Sequence, residues 1–585
     1  METMDSEPPT FFRHRQIDRA SLIVVALLAV ALLWRLVYFL EMYASPYADN
    51  LTLDSQVYHE VALAAAAGEW SQGETFFQAP LYPWVMGAVY SLVGPSQTLV
   101  KLLQILLSVA SCWLIFHIAD RVFDRGVALV ALAISAVYGM SIYFANELLI
   151  VTVIVFLDLL GLDLLLRAAD AGRKILWAAG GFVLGLSAIA RPTILPFVVV
   201  AGAWIVVTGW RSGRVRTALR EAVLFGVGLA LPIAPVTLHN YLADGDLVLV
   251  AANGGVNFFI GNNPQSDGIT AVVPGTRGDR SGGHEDQVRI AREAIGDPGA
   301  TPREISNYWY NSAWKYIRVS PLEAFRHTAF KAFILINAHE VSNNRVIEFV
   351  TRHSWIYSWA TLKFWLVLPL ALAGLVIGGG RRHPKSLLLI FIVVYSATMI
   401  PFFINARFRM PLATVLIIFA AWAIVAWSRW LRERPLNRQF VGVFAVSVAV
   451  ALVGAVVVRP IPVLRVTDAQ AFFNEGEACR AHGDFAAATG WYQAALDNYP
   501  GYCDAAFNLA QIHARVFPDP KKVVEVLEPV EESCAEDIGI RRLLGLSLCS
   551  VGRRDEGVEH LRFVAMRSPG SEEARRELKR ALSQD

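Results

Sequence analysis

Apolar stretches of about 20 residues recur along the first 460 positions, separated by short polar or basic turns, and each is long enough to cross a bilayer core as a helix. The pattern predicts spans at 22–40, 98–119, 126–145, 148–166, 175–190, 193–209, 219–238, 356–378, 386–404, 411–430 and 439–458. The first run is too long for the apolar region of a signal peptide and lacks a small-residue cleavage site, so it reads as a retained span. "PLYPWVMGAVYSLVG" (80–94) is apolar but short and bracketed by Pro and Gly, which predicts an interfacial or re-entrant helix.

Basic residues in the short loops set the orientation. Arg13, Arg15 and Arg19 precede the first span. "RVFDRG", "RAADAGRK", "WRSGRVRTALR", "GGGRRHPK" and "RWLRERPLNR" fall on that same face if 80–94 does not cross. The expectation is a cytoplasmic N-terminal tail (1–20) and a membrane domain (21–460). Its long outer loops are 41–97 and 239–355, and everything after 458 lies outside. The second loop is polar and rich in Gly and Asn early on ("DGDLVLVAANGGVNFFIGNN"), and reads as a hairpin followed by helices.

Residues 467–585 change character: they are charged, Ala-rich and without a span. Gly476, Gly483, Ala488, Tyr492, Ala495 and Pro500 stand at the offsets of a tetratricopeptide repeat. Gly545, Gly552, Gly557, Leu561, Val564 and Pro569 repeat them about two 34-residue periods later, with room for a degenerate unit between. The fold expected is therefore mainly α: a polytopic helical membrane protein of about eleven spans, with a C-terminal α-solenoid of about three repeats.

Composition agrees. The chain is 55% hydrophobic and 17% charged, with mean hydropathy +0.44, and the net charge of +2 makes no case for nucleic acid. Five cysteines are too few for a disulfide scaffold. Antiparallel pairing in the middle repeat would bring Cys503 and Cys534 together in an oxidising compartment; the other reading is four small packing residues in the tail.

Several polar groups stand at the outer boundary. Asp54 and Tyr58, in "TLDSQVYHEVA", are spaced i, i+4 and share a helix face, although Asp54 also suits an N-cap. His59 and Glu60 read as surface residues of that helix. Arg191 in "AIARPTILP", and Arg407 and Arg409 in "NARFRMP", occupy tight outer turns where cations need anionic partners. A phosphate suits them, and snorkelling to headgroups is the other reading. Glu147 is a second boundary acid, or the N-terminal charge of the next helix. "DGD" at 244–246 matches an Asp-x-Asp metal pattern only weakly and reads first as a turn. "NLT" at 50–52 fits a glycosylation acceptor by pattern, and no Walker A loop, Rossmann fingerprint or His cluster is present.

In order, an acid in the first outer loop, "APLYPW", "ANEL", "ARPT", "NGGVNFFIGNNP" and "NARFRMP" resemble the C-type integral-membrane glycosyltransferases. The chain is most similar to the branch of dolichyl-phosphate-mannose–protein mannosyltransferases and aminoarabinose-lipid A transferases. The resemblance covers about residues 20–458. It implies transfer of a sugar from a polyprenyl-phosphate carrier to a hydroxyl acceptor, protein or glycan, at the outer face of a bacterial cytoplasmic membrane. Asp54 would be the catalytic base. Tyr58, Glu147 and Asn262 would bind acceptor or sugar, and Arg191, Arg407 and Arg409 the lipid phosphate. Where some aminoarabinose transferases carry a Glu-Lys-Pro with a metal-linked Glu, this chain reads Gln78–Ala79–Pro80, so no metal or other cofactor is expected. The repeats would offer a surface to a protein partner. The competing functions are a transporter or flippase of lipid-linked glycan, and a membrane scaffold.

Overall fold

Every predicted span is helical in the structure, a computed structural model, but not every span is a single helix. The structure describes residues 19–583, apart from 46–47, 49–50, 52, 72, 277–279, 338–339, 343, 346, 433–437, 458–464, 536 and 569–570. Asn50 and Thr52 of the glycosylation pattern lie outside the described residues.

The membrane part begins with α1 (Arg19–Tyr43), followed by α2 (Asp54–Ala66) and α3 (Leu81–Val93). Then come α4 (Gln97–Val122), α5 (Arg125–Ala136), α6 (Gly139–Asn146), α7 (Val151–Ala171), α8 (Lys174–Ala190), α9 (Leu195–Arg211) and α10 (Val215–Asp244). The long segment after α10 holds α11 (Gly254–Gly261), α12 (Arg280–Ile295), α13 (Pro302–Val319), α14 (Pro321–Ile336), α15 (Ile347–Arg352) and α16 (Trp355–Trp359). The bundle closes with α17 (Phe364–Ile377), α18 (Arg382–Met399), α19 (Ala406–Arg432) and α20 (Arg438–Val457). Among the described residues five helices, carried by α1, α4, α9, α10 and α19, are long and apolar enough to cross a membrane, and α3, α5, α8, α17, α18 and α20 are shorter apolar helices. This is an integral membrane protein of mainly α structure.

The expected span at 126–145 is broken between α5 and α6. Hydropathy averages over such a break, because every residue through it is apolar or small. Backbone groups opened inside a bundle must find partners there. Leu362 N donates to Val137 O and Gly139 N to Leu362 O, both at 2.8 Å, in the Tyr138–Leu362 bridge. The fully buried Arg35 of α1 donates to the carbonyl of Ala136 at 3.0 Å, and to Ser108 Oγ and its own Ala31 carbonyl at 2.8 Å. The span at 356–378 is likewise divided, into α16 and α17.

The hairpin expected after 244 is absent: among the described residues there is no strand. α10 runs to Asp244 and stops at Gly245, whose φ of 75° ends the helix as a left-handed cap, so "DGD" is a turn. The chain then continues without regular structure, and the buried Asn240 side chain donates to the Val248 and Val250 carbonyls that a partner strand would otherwise take.

α8 and α10 pack with their backbones almost touching, an arrangement membrane helices reach with small residues. A Cβ on Gly181 would lie 2.0 Å from the Phe225 carbonyl oxygen, and one on Gly228 2.1 Å from that of Ala178. Gly226, on the same helix, faces open space. Gly181→Leu should therefore cost roughly 3 kcal/mol or more and deplete folded protein after detergent extraction, whereas Gly226→Leu should be recovered like wild type. Equal recovery of the two would show that the contact is not tight.

The tail is a run of paired helices: α21 (Arg465–Ala481) with α22 (Phe485–Asn498), α23 (Cys503–Arg515) with α24 (Pro520–Leu527), and α25 (Ile538–Ser550) with α26 (Arg554–Arg567), then α27 (Glu572–Ser583). Gly476 of α21 faces the Tyr492 ring of α22, where a Cβ would meet Cε1 at 2.5 Å; Gly545 of α25 faces Gly557 and Leu561 of α26. Cys503 and Cys534 are joined by a disulfide across a separation of 31 residues, with Cα atoms 5.8 Å apart. Closing a loop of that length is worth about 3–4 kcal/mol by chain entropy. Reduction should lower the melting temperature of the tail by several degrees, read by differential scanning calorimetry of the full chain. Cys503→Ser should melt at the reduced value and show no response to reductant; a reductant response in that variant would contradict this assignment.

Candidate functional site

Three segments far apart in sequence deliver charge to one cavity of about 660 Å³ at one end of the bundle. Asp54 and Tyr58 enter from the first turns of α2, Arg191 from the turn between α8 and α9, and Arg407 from the first turn of α19. Asn253 just before α11, Asn257 (α11), Gln287 (α12) and Tyr310 (α13) form a polar wall from the long segment after α10.

Asp54 is the first residue of α2, and Leu53 occupies the N-cap position. Leu53 has φ 50°, the one positive value among described non-glycine residues, so local strain is held directly beside the acid. The buried Asp54 carboxylate is ion-paired with Arg407 and accepts a hydrogen bond from Gln78 Nε2 at 3.3 Å. Gln78 thus aims a neutral donor at Asp54. Among the described residues no group of three His, Cys, Asp or Glu side chains stands close enough to hold a metal.

Arg407 also donates to Asn344 Oδ1 at 3.4 Å, and its Nε is buried without a hydrogen-bond partner. Arg191 stacks on the Phe408 ring, Cζ 4.4 Å from the centroid, and Arg407 lies 5.0 Å from that same centroid. Arg191 Nη1 is buried with no hydrogen-bond partner. Enclosure, then the nearby Arg407, pulls the Arg191 guanidinium down to about 10, so it is still charged at neutral pH. Arg407 is ion-paired with Asp54, while Arg191, within electrostatic reach of Asp54 and of the buried Asp158, keeps a guanidinium nitrogen without a hydrogen-bond partner.

The remaining candidates stand behind the cavity wall. Arg409 points away from the cavity: it pairs with Glu340 at 2.5 Å, donates to the Asn337 carbonyl at 2.6 Å and lies 4.0 Å over Phe364. Glu147 forms a buried pair with Arg345 at 3.5 Å. Asn262 donates to the carbonyls of Phe258 and Pro401 at 2.8 and 2.6 Å, while its Oδ1 accepts from Lys331. These contacts make the three anchors of the site's frame. His59 is half-buried rather than a surface residue. It meets Tyr90 Oη at 2.9 Å and ties α2 to α3, and burial lowers its pKa.

Sequence reasoning missed the strap at residues 340–345. Glu340 holds Arg409, Val341 O accepts from Ala406 N at 2.8 Å, Asn344 touches Arg407 and Arg345 holds Glu147. It missed Lys331 too. That residue is fully buried on α14, with Nζ donating to the carbonyls of Gly261 and Pro401 at 2.8 and 3.3 Å. Burial brings its pKa down to about 8. The available signal was a lysine inside "FKAFILI", where a solvated face would not carry so many apolar neighbours.

Residues 78–239 match the family described as dolichyl-phosphate-mannose-protein mannosyltransferase. The matched segment contains "APLYPW", "ANEL" and "ARPT", with Gln78, Glu147 and Arg191; Asp54, Asn262, Arg407 and Arg409 lie outside it. No curated protein matches the chain. Among solved structures, the apo oligosaccharyltransferase of Archaeoglobus fulgidus is similar at 13% identity and TM-score 0.44, covering 87% of this chain and 59% of that one. The archaeal oligosaccharyltransferase AglB from the same organism, in complex with an inhibitory peptide and a dolichol-phosphate, is similar at 12% identity and TM-score 0.41, covering 79% and 59%. The chain thus spans about three fifths of the length of these archaeal proteins.

Proposed function

We propose that this protein is a glycosyltransferase that takes a sugar from a polyprenyl-phosphate carrier at the outer face of a bacterial cytoplasmic membrane and passes it to a hydroxyl acceptor. The observation that carries the reading is the convergence of Asp54, Arg191 and Arg407 on one cavity, large enough for a sugar phosphate and an acceptor hydroxyl. The family match over residues 78–239 supports the reaction class.

Asp54 takes the proton from the acceptor hydroxyl as its oxygen attacks the anomeric carbon. The bond from that carbon to the phosphate oxygen breaks, and polyprenyl phosphate leaves as an anion. The leaving group needs no proton, so no general acid is required. Arg191 and Arg407 supply fixed positive charge where negative charge grows, in a site screened from water. One displacement with one base inverts the anomeric carbon. Tyr58 lines the cavity one helical turn from Asp54 and is placed to meet acceptor or sugar. Glu147, Asn262 and Arg409 act through the frame that holds Arg407 and the polar wall. The N-terminus is cytoplasmic, and the tail is a tetratricopeptide unit outside the membrane that receives a protein partner or acceptor.

Proteoliposomes given a polyprenyl-phosphate hexose labelled in the sugar test the reading. Label should move to a hydroxyl-bearing peptide or glycan. Movement of intact donor between leaflets would identify a transporter instead, and neither event a scaffold.

A further inference from the structure

We propose that α14 lies in the membrane plane beside the site, with one face seated in the outer leaflet and flanking cations on anionic lipid headgroups. Its inner face is anchored at the outer ends of two bundle helices. Lys331 reaches the Pro401 carbonyl in the turn between α18 and α19, and the carbonyls of Leu335 and Asn337 receive Arg409 from the first turn of α19. Ile334 and Leu335 belong to the bundle core. These contacts fix the height of α14 at the boundary where the spans emerge.

The opposite face is apolar and mostly exposed, with Phe333 half-buried. Leu322, Phe325, Ala329, Phe333 and Ile336 follow steps of three or four residues, so they form one stripe on the side of the helix away from Lys331. Leu322 is 63% exposed and Phe325 69%. A stripe this apolar is costly in water, and a helix at the level of the interface has lipid beside it. Charge agrees with an anionic leaflet. Lys315, Arg318 and Arg326 are exposed on α13 and α14, against Glu323 in α14 and Glu304 in the first turn of α13. Tyr316 Oη meets His327 Nδ1 at 3.2 Å, which holds the two helices as one unit. Seating α14 in the leaflet would also hold the long segment after α10, with its polar cavity wall, over the site. The placement does not depend on the transfer chemistry.

The test uses the full chain in lipid nanodiscs, with Cys479→Ser and Cys549→Ser; Cys112 is buried and Cys503 and Cys534 are bonded to each other. Phe325→Cys and, as a control on exposed α12, Glu293→Cys are labelled with a fluorophore and mixed with lipids brominated in their acyl chains. Quenching at 325 should exceed that at 293 by about twofold or more, because an interfacial helix sinks its apolar face into the acyl boundary. Equal quenching at the two positions would overturn the placement. Quenching at 325 should also rise with the fraction of anionic lipid, and Lys315→Gln, Arg318→Gln and Arg326→Gln together should remove that rise. Persistence of the rise in the triple variant would overturn the headgroup contact.

Discussion

Asp54→Asn is expected to lower sugar transfer by about 10²–10⁴-fold while the protein remains in the membrane. Asparagine keeps the shape and the acceptor for Gln78 but loses the charge, and with it the capacity to take a proton. Arg407 then loses its acid partner while keeping Asn344. A single-turnover assay with donor in excess isolates the chemical step from donor binding. A rate within a few-fold of wild type would remove Asp54 from the role of base. A rate lost together with the folded protein would point to Asp54 as a structural partner of Arg407, so recovery by size-exclusion chromatography belongs in the same experiment.

Arg191→Met should act on the donor and spare the fold. Hydrogen bonds to charged groups are worth about 1.5–3 kcal/mol, or roughly 10- to 150-fold in the donor KM. kcat should fall as well, since the phosphate gains charge as it leaves. Stability should be unchanged or slightly higher, because an enclosed guanidinium with an unpartnered nitrogen is replaced by an apolar chain of similar length. Arg409→Met should behave in the opposite way. Its guanidinium is committed to Glu340 and to carbonyls, so its loss should reduce recovered protein before it changes donor dependence. Wild-type donor dependence in Arg191→Met would rule out its contact with the phosphate.

Much of this arrangement was legible because charge at a lipid boundary is conspicuous. Asp54, Arg191 and Arg407 each stand at the end of an apolar run, and the structure brings all three to one cavity. What sequence could not supply was the partner of each charge. Arg409 and Arg407 look equivalent in "NARFRMP", yet one faces Glu340 and the other Asp54. The difference comes from a strap more than 60 residues upstream that no local pattern predicts. Glu147 is paired with Arg345 for the same reason. The break between α5 and α6 escaped because its backbone is satisfied by Arg35 and Leu362, both distant in sequence. The expected hairpin failed because Asn240, inside a helix, takes the carbonyls that a second strand would have used.

The anomeric configuration of the product tests the account at its centre. A donor of defined configuration, followed by proton-coupled NMR of the glycosylated acceptor, should give the opposite anomer, with one polyprenyl phosphate released per sugar transferred. A product with the donor's configuration would contradict direct displacement by a hydroxyl activated at Asp54.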